Sequence, residues 1–266
     1  MFGAIVGDIA GSVYEFDQIK TKDFALFGDY HGEVCTFTDD TVMTLAVAKA
    51  LLESRNDCNA LSANADKYMH EIGRKYPSCG YGGRFWMWMF LDDPQPYKSY
   101  GNGAAMRVSP VAFAASSMEE ALFLSDQVTK ISHNHPEGIK GSRATTACIF
   151  LAKSGKSKQE IREYVQKNYY PLRESLAEIR PDYCFNETCQ NTVPQAIQAF
   201  LEAADFEDAI RNAISLGGDS DTLAAITGGI AEAFFGVPED ISQKARGYLT
   251  PELRNILDEF EMMYQK

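Results

Sequence analysis

Two short clusters of oxygen-bearing side chains constrain this chain more than any other feature. Thr38-Asp39-Asp40-Thr41 opens an amphipathic stretch over 40–53, and Asp219-Ser220-Asp221-Thr222, preceded by Gly217-Gly218, opens a stretch over 222–235 that is small and apolar nearly all round. Asp, Ser and Thr are preferred helix caps and an acidic first turn complements the helix dipole, so each cluster taken alone reads at least equally well as a cap. Capping consumes one side chain, however, and each cluster offers four such residues on a short loop. Four carboxylates gathered at one point repel one another unless a hard cation neutralises them, and oxygen-only ligation favours Mg²⁺, Mn²⁺ or Ca²⁺ over zinc. Two such ions lie about 3.5–4 Å apart in dinuclear sites. The two clusters must then meet in space, which makes a single domain over residues 1–266 the economical organisation.

The rest of the pattern predicts an all-α fold, because most periodic segments carry the helical 3.6 repeat and few alternate strictly. Ser117 with Glu120 and Ser157 with Glu160 fit capping boxes ahead of helices over 118–131 and 158–168. Pro194 suits the first turn of a helix over 194–203, and Asp205 caps one over 206–215. Gly228 and Gly229 imply close helix packing in 222–235, a helix that Gly236 and Pro238 end. Residues 169–193 read as a surface connection.

Composition excludes several function classes. With 25 Lys and Arg against 37 Asp and Glu, the net charge is −12, and no local basic patch offers a nucleic-acid footprint. The six cysteines are scattered without a CxxC pair, as expected of reduced thiols in the cytoplasm. The amino-terminal apolar run lacks a basic region and is interrupted by Asp8 and Glu15, unlike a signal peptide. Phe85 to Leu91 is the longest run of bulky apolar residues, far below the roughly 20 a membrane span needs.

Further motifs could carry chemistry. Gly101-Asn102-Gly103-Ala104-Ala105-Met106-Arg107 is a plain turn or a loop that presents backbone N–H groups to a phosphate, and Ser99-Tyr100 before it adds a hydroxyl and an aromatic face. Tyr81-Gly82-Gly83-Arg84 is similar, followed by Phe85, Trp86, Trp88 and Phe90 as expected core. His133-Asn134-His135-Pro136 lacks the partners of a zinc site, so a histidine there is structural or hydrogen-bonds an anionic or polyhydroxyl ligand. Glu15, in the glycine-bearing segment that begins Gly7-Asp8, is an exposed glutamate or an acid/base group beside bound substrate.

In this order, GDIAGSVYE at 7–15, FTDDTVMT at 37–44, SYGNGAAMR at 99–107, SHNHPEGIKG at 132–141 and SLGGDSDT at 215–222 closely resemble the ADP-ribosylglycohydrolase family, over nearly the whole chain. The resemblance implies a compact all-α bundle that binds two divalent ions, Mg²⁺ or Mn²⁺, and hydrolyses the glycosidic bond between ADP-ribose and a modified acceptor. By matching motif it implies Thr38, Asp39, Asp40, Asp219, Asp221 and Thr222 as metal ligands. Ser99, Tyr100, Gly101, Asn102, Gly103 and His133 would line the ADP-ribose pocket, and Gly82 or Gly83 would lie beside the distal ribose. Asp39 and Asp40 lead as acid/base groups, with Glu15, the counterpart of a glutamate proposed as catalytic in serine-type members, next. The implied partner is an ADP-ribosylated protein, modified on arginine or serine, or a small-molecule conjugate, met by a monomer without membrane or nucleic acid. The alternatives are a hydrolase of free derivatives such as O-acetyl-ADP-ribose and a non-catalytic binder or crystallin-like structural protein.

Overall fold

Apolar residues on every side of a helix require neighbours on every side, and the stretch that begins at Ser220 meets that requirement at the centre of the molecule. The computed structural model describes residues 1–55, 57–173 and 175–264. Its helices are, in chain order, α1 (Phe2–Gly11), α2 (Asp39–Ser54), α3 (Leu61–Gly73), α4 (Gly83–Phe90), α5 (Gly103–Met106), α6 (Ser109–Ala114), α7 (Met118–Thr129) and α8 (Pro136–Lys153). They continue with α9 (Lys158–Asn168), α10 (Leu176–Ile179), α11 (Cys189–Glu202), α12 (Phe206–Ile214), α13 (Ser220–Phe235), α14 (Glu239–Arg246) and α15 (Pro251–Tyr264). The only sheet among the described residues is a short antiparallel pair, β1 (Asp29–Tyr30) and β2 (Glu33–Val34). The all-α expectation holds, and no described helix is long and apolar enough to cross a membrane.

Helix α13 packs against α1, α8, α11 and α12. Helix α1, every residue of which is buried, lies closest to it. The seam is backbone against backbone: a Cβ at Gly7 would sit 2.0 Å from the Ala224 carbonyl oxygen, and one at Gly228 would sit 2.1 Å from that of Gly3. This approach accounts for glycine inside a helix despite its cost of about 1 kcal/mol against alanine. Around this pair, α2 packs on α3, α6 and α15, and one continuous hydrophobic core runs through the molecule.

Caps set the helix starts. Ser157 and Glu160 complete a capping box at α9, and Asp205 accepts from the Asp208 amide at α12. At α7 the box is half formed: Ser117 accepts from the Glu120 amide, but the Glu120 carboxylate turns to the amide and hydroxyl of Ser116. Helix α11 starts earlier than Pro194 implies. The Cys189 amide donates to the Tyr100 carbonyl at 3.0 Å, anchoring the start there, and Pro194 is carried inside the helix. The stretch 169–193 is more than a surface connection, since it includes α10 and buries Tyr170, Leu172, Leu176 and Ile179. The aromatic run on α4 divides: Phe85 and Trp88 are buried, whereas Trp86 and Phe90 are 43% and 41% exposed, because a short helix at the rim buries one face only.

Candidate active site

The starts of α2 and α13 face each other. Thr222 Oγ1 donates to Asp40 Oδ2 at 3.1 Å, a direct bond between the two acidic clusters. Carboxylate oxygens of Glu15, Asp219 and Asp221 lie within 4.8 Å of one another, so Glu15 joins the potential ligand set.

At α2 capping does not consume the acids, because other groups perform it. Asp8, fully buried on α1, accepts from the Thr38 amide at 2.9 Å, the Thr38 hydroxyl at 2.6 Å and the Thr41 amide at 3.0 Å. Thr38 Oγ1 accepts from the Asp40 amide at 3.3 Å. The Thr38, Asp40 and Thr41 amides at the α2 terminus are thereby satisfied, and the Asp39 and Asp40 side chains remain available. Asp40 Oδ1 is buried with no protein partner. At α13, Gly217 and Gly218 take the left-handed conformation (φ 74° and 79°), and the Gly218 backbone passes close to that of Phe185. Asn102 Nδ2 donates to Asp219 Oδ2 at 2.6 Å and so ties the Gly101–Gly103 loop to the acidic centre.

Between these elements lies a cavity of about 250 Å³. Glu15, Asp39, Asp40, Asp219, Asp221 and Thr222 form an acidic part of its wall. Ser99, Gly101, Asn102, Gly103, His133, Gly82 and Gly83 line it as well. Of the site residues that the family resemblance implies, Thr38 and Tyr100 are not in this wall. Thr38 lies beneath it, bonded to Asp8, and Tyr100 is 46% exposed with its ring against the edge of His135 at 5.2 Å.

Several lining residues escaped the sequence reading, among them Arg84, Tyr97, Arg107, Phe185 and Glu187. Arg84 stacks on Tyr97 at 4.8 Å and Arg107 on Phe85 at 5.4 Å, giving the cavity a cationic and aromatic side opposite in character to its acids. Arg84 and Arg107 stood within quoted motifs without an assigned role, and Phe85 was expected only as core, whereas Tyr97, Phe185 and Glu187 come from segments with no periodicity or motif. Asp8 did carry a signal, a lone carboxylate within an apolar run.

The acidic wall is electrostatically loaded. Burial raises Asp39, Asp40 and Asp221 well above the usual carboxylate range, and repulsion from neighbouring carboxylates adds to it. Glu15 is pushed up to about 7, first by burial and then by Asp219, Asp8 and Glu187. On the other side, His133 is held well below the ordinary imidazole value by burial and by Arg107 and Arg84.

The sequence model of one family, ADP-ribosylglycohydrolase, matches residues 1–266. The chain belongs to the ADP-ribosylglycohydrolase family. Among curated relatives, this ADP-ribosylglycohydrolase is 27% identical to the ADP-ribosylhydrolase ARH3 of Homo sapiens, over 92% of this chain and 88% of that protein. It is 26% identical to the ADP-ribosylarginine hydrolase Tri1 of Pseudomonas putida (strain GB-1), over 89% of this chain and 70% of that one. A solved structure described as an ADP-ribosylglycohydrolase-related protein complex shares the fold, with a TM-score of 0.69 at 22% identity, covering 99% of this chain and 96% of that chain. The family is hydrolytic, and this ADP-ribosylglycohydrolase is accordingly an ADP-ribosyl hydrolase by class.

Proposed function

We propose that this chain is a divalent-cation-dependent hydrolase that cleaves the N- or O-glycosidic bond joining ADP-ribose to a modified acceptor, with an arginine or serine side chain as the leading acceptor. The observation that carries the reading is the bond from Thr222 to Asp40, which joins both acidic clusters at one wall of the cavity. The donor set fits hard cations: it is all oxygen, Asp40 Oδ1 is buried without a protein partner, and burial together with repulsion between neighbouring carboxylates lifts the carboxyl pKa values. Thr38, Asp39, Asp40, Asp219, Asp221 and Thr222 would hold two Mg²⁺ or Mn²⁺ ions, with Glu15 within reach of the same centre. When bound, such ions supply local positive charge beside the distal ribose and lower the pKa of water.

The chain's own residues account for the rest. The Gly101–Gly103 loop, whose Gly101 amide is held by Ser99 Oγ at 3.2 Å, and the His133 ring line the part of the cavity suited to a nucleotide's anionic part, and Gly82 and Gly83 leave open space for the ribose because no atom lies within 4 Å of a Cβ at either. Glu15, with its carboxyl near the working pH in the cation-free chain, is suited to take a proton from attacking water or to give one to the departing acceptor. Asp39 and Asp40 remain acid/base candidates through their position in the same wall. Transition-state charge at the anomeric carbon is offset by the surrounding carboxylates. Scattered free cysteines support a reducing compartment, the cytoplasm.

The test incubates the purified protein with arginine-linked and serine-linked ADP-ribosyl peptides and with O-acetyl-ADP-ribose, in Mg²⁺ or in EDTA. Magnesium-dependent release of ADP-ribose from a peptide is expected. Release only from O-acetyl-ADP-ribose would move the substrate to free derivatives, and binding without release would make the protein a binder. Asp39→Ala and Asp221→Ala are expected to lower turnover by at least about 100-fold with the helical circular-dichroism spectrum unchanged, since outer-shell partners of metal sites alone cost about 10–100-fold. Wild-type turnover in both variants would reject the assignment.

A further inference from the structure

Arg107 follows α5 and is fully buried, yet no carboxylate among the described residues pairs with it. Its Nε has no partner, and its Nη2 donates to the Val128 carbonyl at 3.3 Å and to Ser132 Oγ at 2.8 Å. The same Nη2 lies 3.5 Å from His133 Nδ1, and Ser132 Oγ lies 2.9 Å from that nitrogen. Burying an unpaired guanidinium is costly, so its arrangement calls for a use.

The donor inventory fixes the direction of this chain. A guanidinium only donates, so Ser132 Oγ accepts from Arg107 and keeps its own proton for His133 Nδ1. With the Ser132 hydroxyl donating to it at 2.9 Å and the positive guanidinium of Arg107 3.5 Å away, Nδ1 carries no proton. The ring proton then sits on Nε2, which faces the glycine loop: a Cβ at Gly103 would lie 3.2 Å from Nε2 and one at Gly101 3.7 Å.

We propose that Arg107, acting through Ser132, holds His133 as the neutral tautomer protonated on Nε2, so that the ring donates a hydrogen bond into the cavity over Gly101–Gly103. Arg107 and Ser132 are positioning residues, and His133 is the group that meets the ligand. The groups facing the ring are the cations Arg107 and Arg84, the Ser132 hydroxyl, and the rings of Phe85 at 6.1 Å and Tyr97 at 5.8 Å. With cations and no carboxylate among them, a second ring proton is disfavoured, and the donor persists as pH changes. The ligand oxygen that accepts from Nε2 belongs to ADP-ribose, and this clause alone rests on the function proposed above.

The test begins with the unliganded wild-type protein, labelled with ¹⁵N in histidine, and long-range ¹H–¹⁵N spectra that identify which ring nitrogen carries the proton. His133 is expected to show a protonated Nε2 and a bare Nδ1. Protonation of Nδ1, of both nitrogens, or a mixture would overturn the relay. Ser132→Ala is expected to mix the tautomers and weaken ADP-ribose binding by about tenfold, and Ser132→Thr, which keeps the hydroxyl, to restore both. Unchanged tautomer and affinity in Ser132→Ala would also overturn it. A wild-type protein with the expected tautomer and no affinity for ADP-ribose, with or without Mg²⁺, would reject the ligand and the function reading while leaving the relay in place.

Discussion

Glu15 shows most directly how a carboxyl can oppose folding. Its pKa rises from 4.5 to about 7 in the fold, so the folded chain binds that proton more tightly than the unfolded chain does. The stabilising contribution is then full below the unfolded value and is lost as pH rises through the folded one, the reverse of an ordinary paired carboxylate. In EDTA, Glu15→Gln should therefore exceed the wild type in thermal midpoint by a margin that grows from about pH 4.5 to above about pH 7. Added Mg²⁺ should narrow the margin, because a cation stabilises the charged form; a margin independent of both pH and Mg²⁺ would contradict the account. Burial raises the Asp8 carboxyl as well, but its three accepted hydrogen bonds work against that shift and hold Thr38 and Thr41 in place. Asp8→Asn removes the charge that the Thr38 and Thr41 amides meet and turns the oxygen bonded to the Thr38 hydroxyl into a donor, which forces that hydroxyl to reverse its role. We expect it to weaken Mg²⁺ binding by about 10–100-fold, measurable by calorimetry, because Asp8 holds Thr38 and Thr41 and its charge acts on the neighbouring Asp39 and Asp40.

At the scale of elements, the seam between α1 and α13 ties stability to the site. Gly11 lies against the first turn of α13, where a Cβ would come within 2.6 Å of Asp221 Cα, and Ser220 Oγ donates to the Gly11 carbonyl at 2.9 Å. Gly11→Ala should therefore displace Asp221 and reduce Mg²⁺ affinity. Gly7→Ala, farther along the seam, should lower stability by about 3 kcal/mol or more, read from urea unfolding. Helices with polar starts were legible in the sequence to within a few residues: α2, α7, α9, α12 and α13 each begin at or beside the Ser, Thr or Asp that their patterns mark. Helix α1 was not legible, because ten buried residues leave no amphipathic contrast to read. The acidic part of the site was legible for a related reason, as its residues sit at helix starts where surplus oxygen atoms stand out. Tyr97, Phe185 and Glu187 reach the cavity from irregular segments, and only tertiary folding places them there.

On the scale of the whole molecule, the net charge of −12 repels the nucleotide that the proposed function requires. Screening should relieve that repulsion, so the association rate of ADP-ribose should rise severalfold between about 10 mM and about 150 mM salt at fixed Mg²⁺. A rate that falls with salt would mean that the cationic side of the cavity governs approach. The partnership of α1 with α13 also has a consequence during synthesis. Residues 2–11 leave the ribosome long before residues 220–235 exist, a delay of about 10–40 s at common elongation rates. Throughout that interval a helical segment that is apolar but for Asp8 has no permanent partner, and the acidic centre cannot form. The nascent chain therefore needs shelter over this segment, and a stalled or truncated product that stops short of α13 should be an aggregation-prone client of chaperones rather than a partly active enzyme.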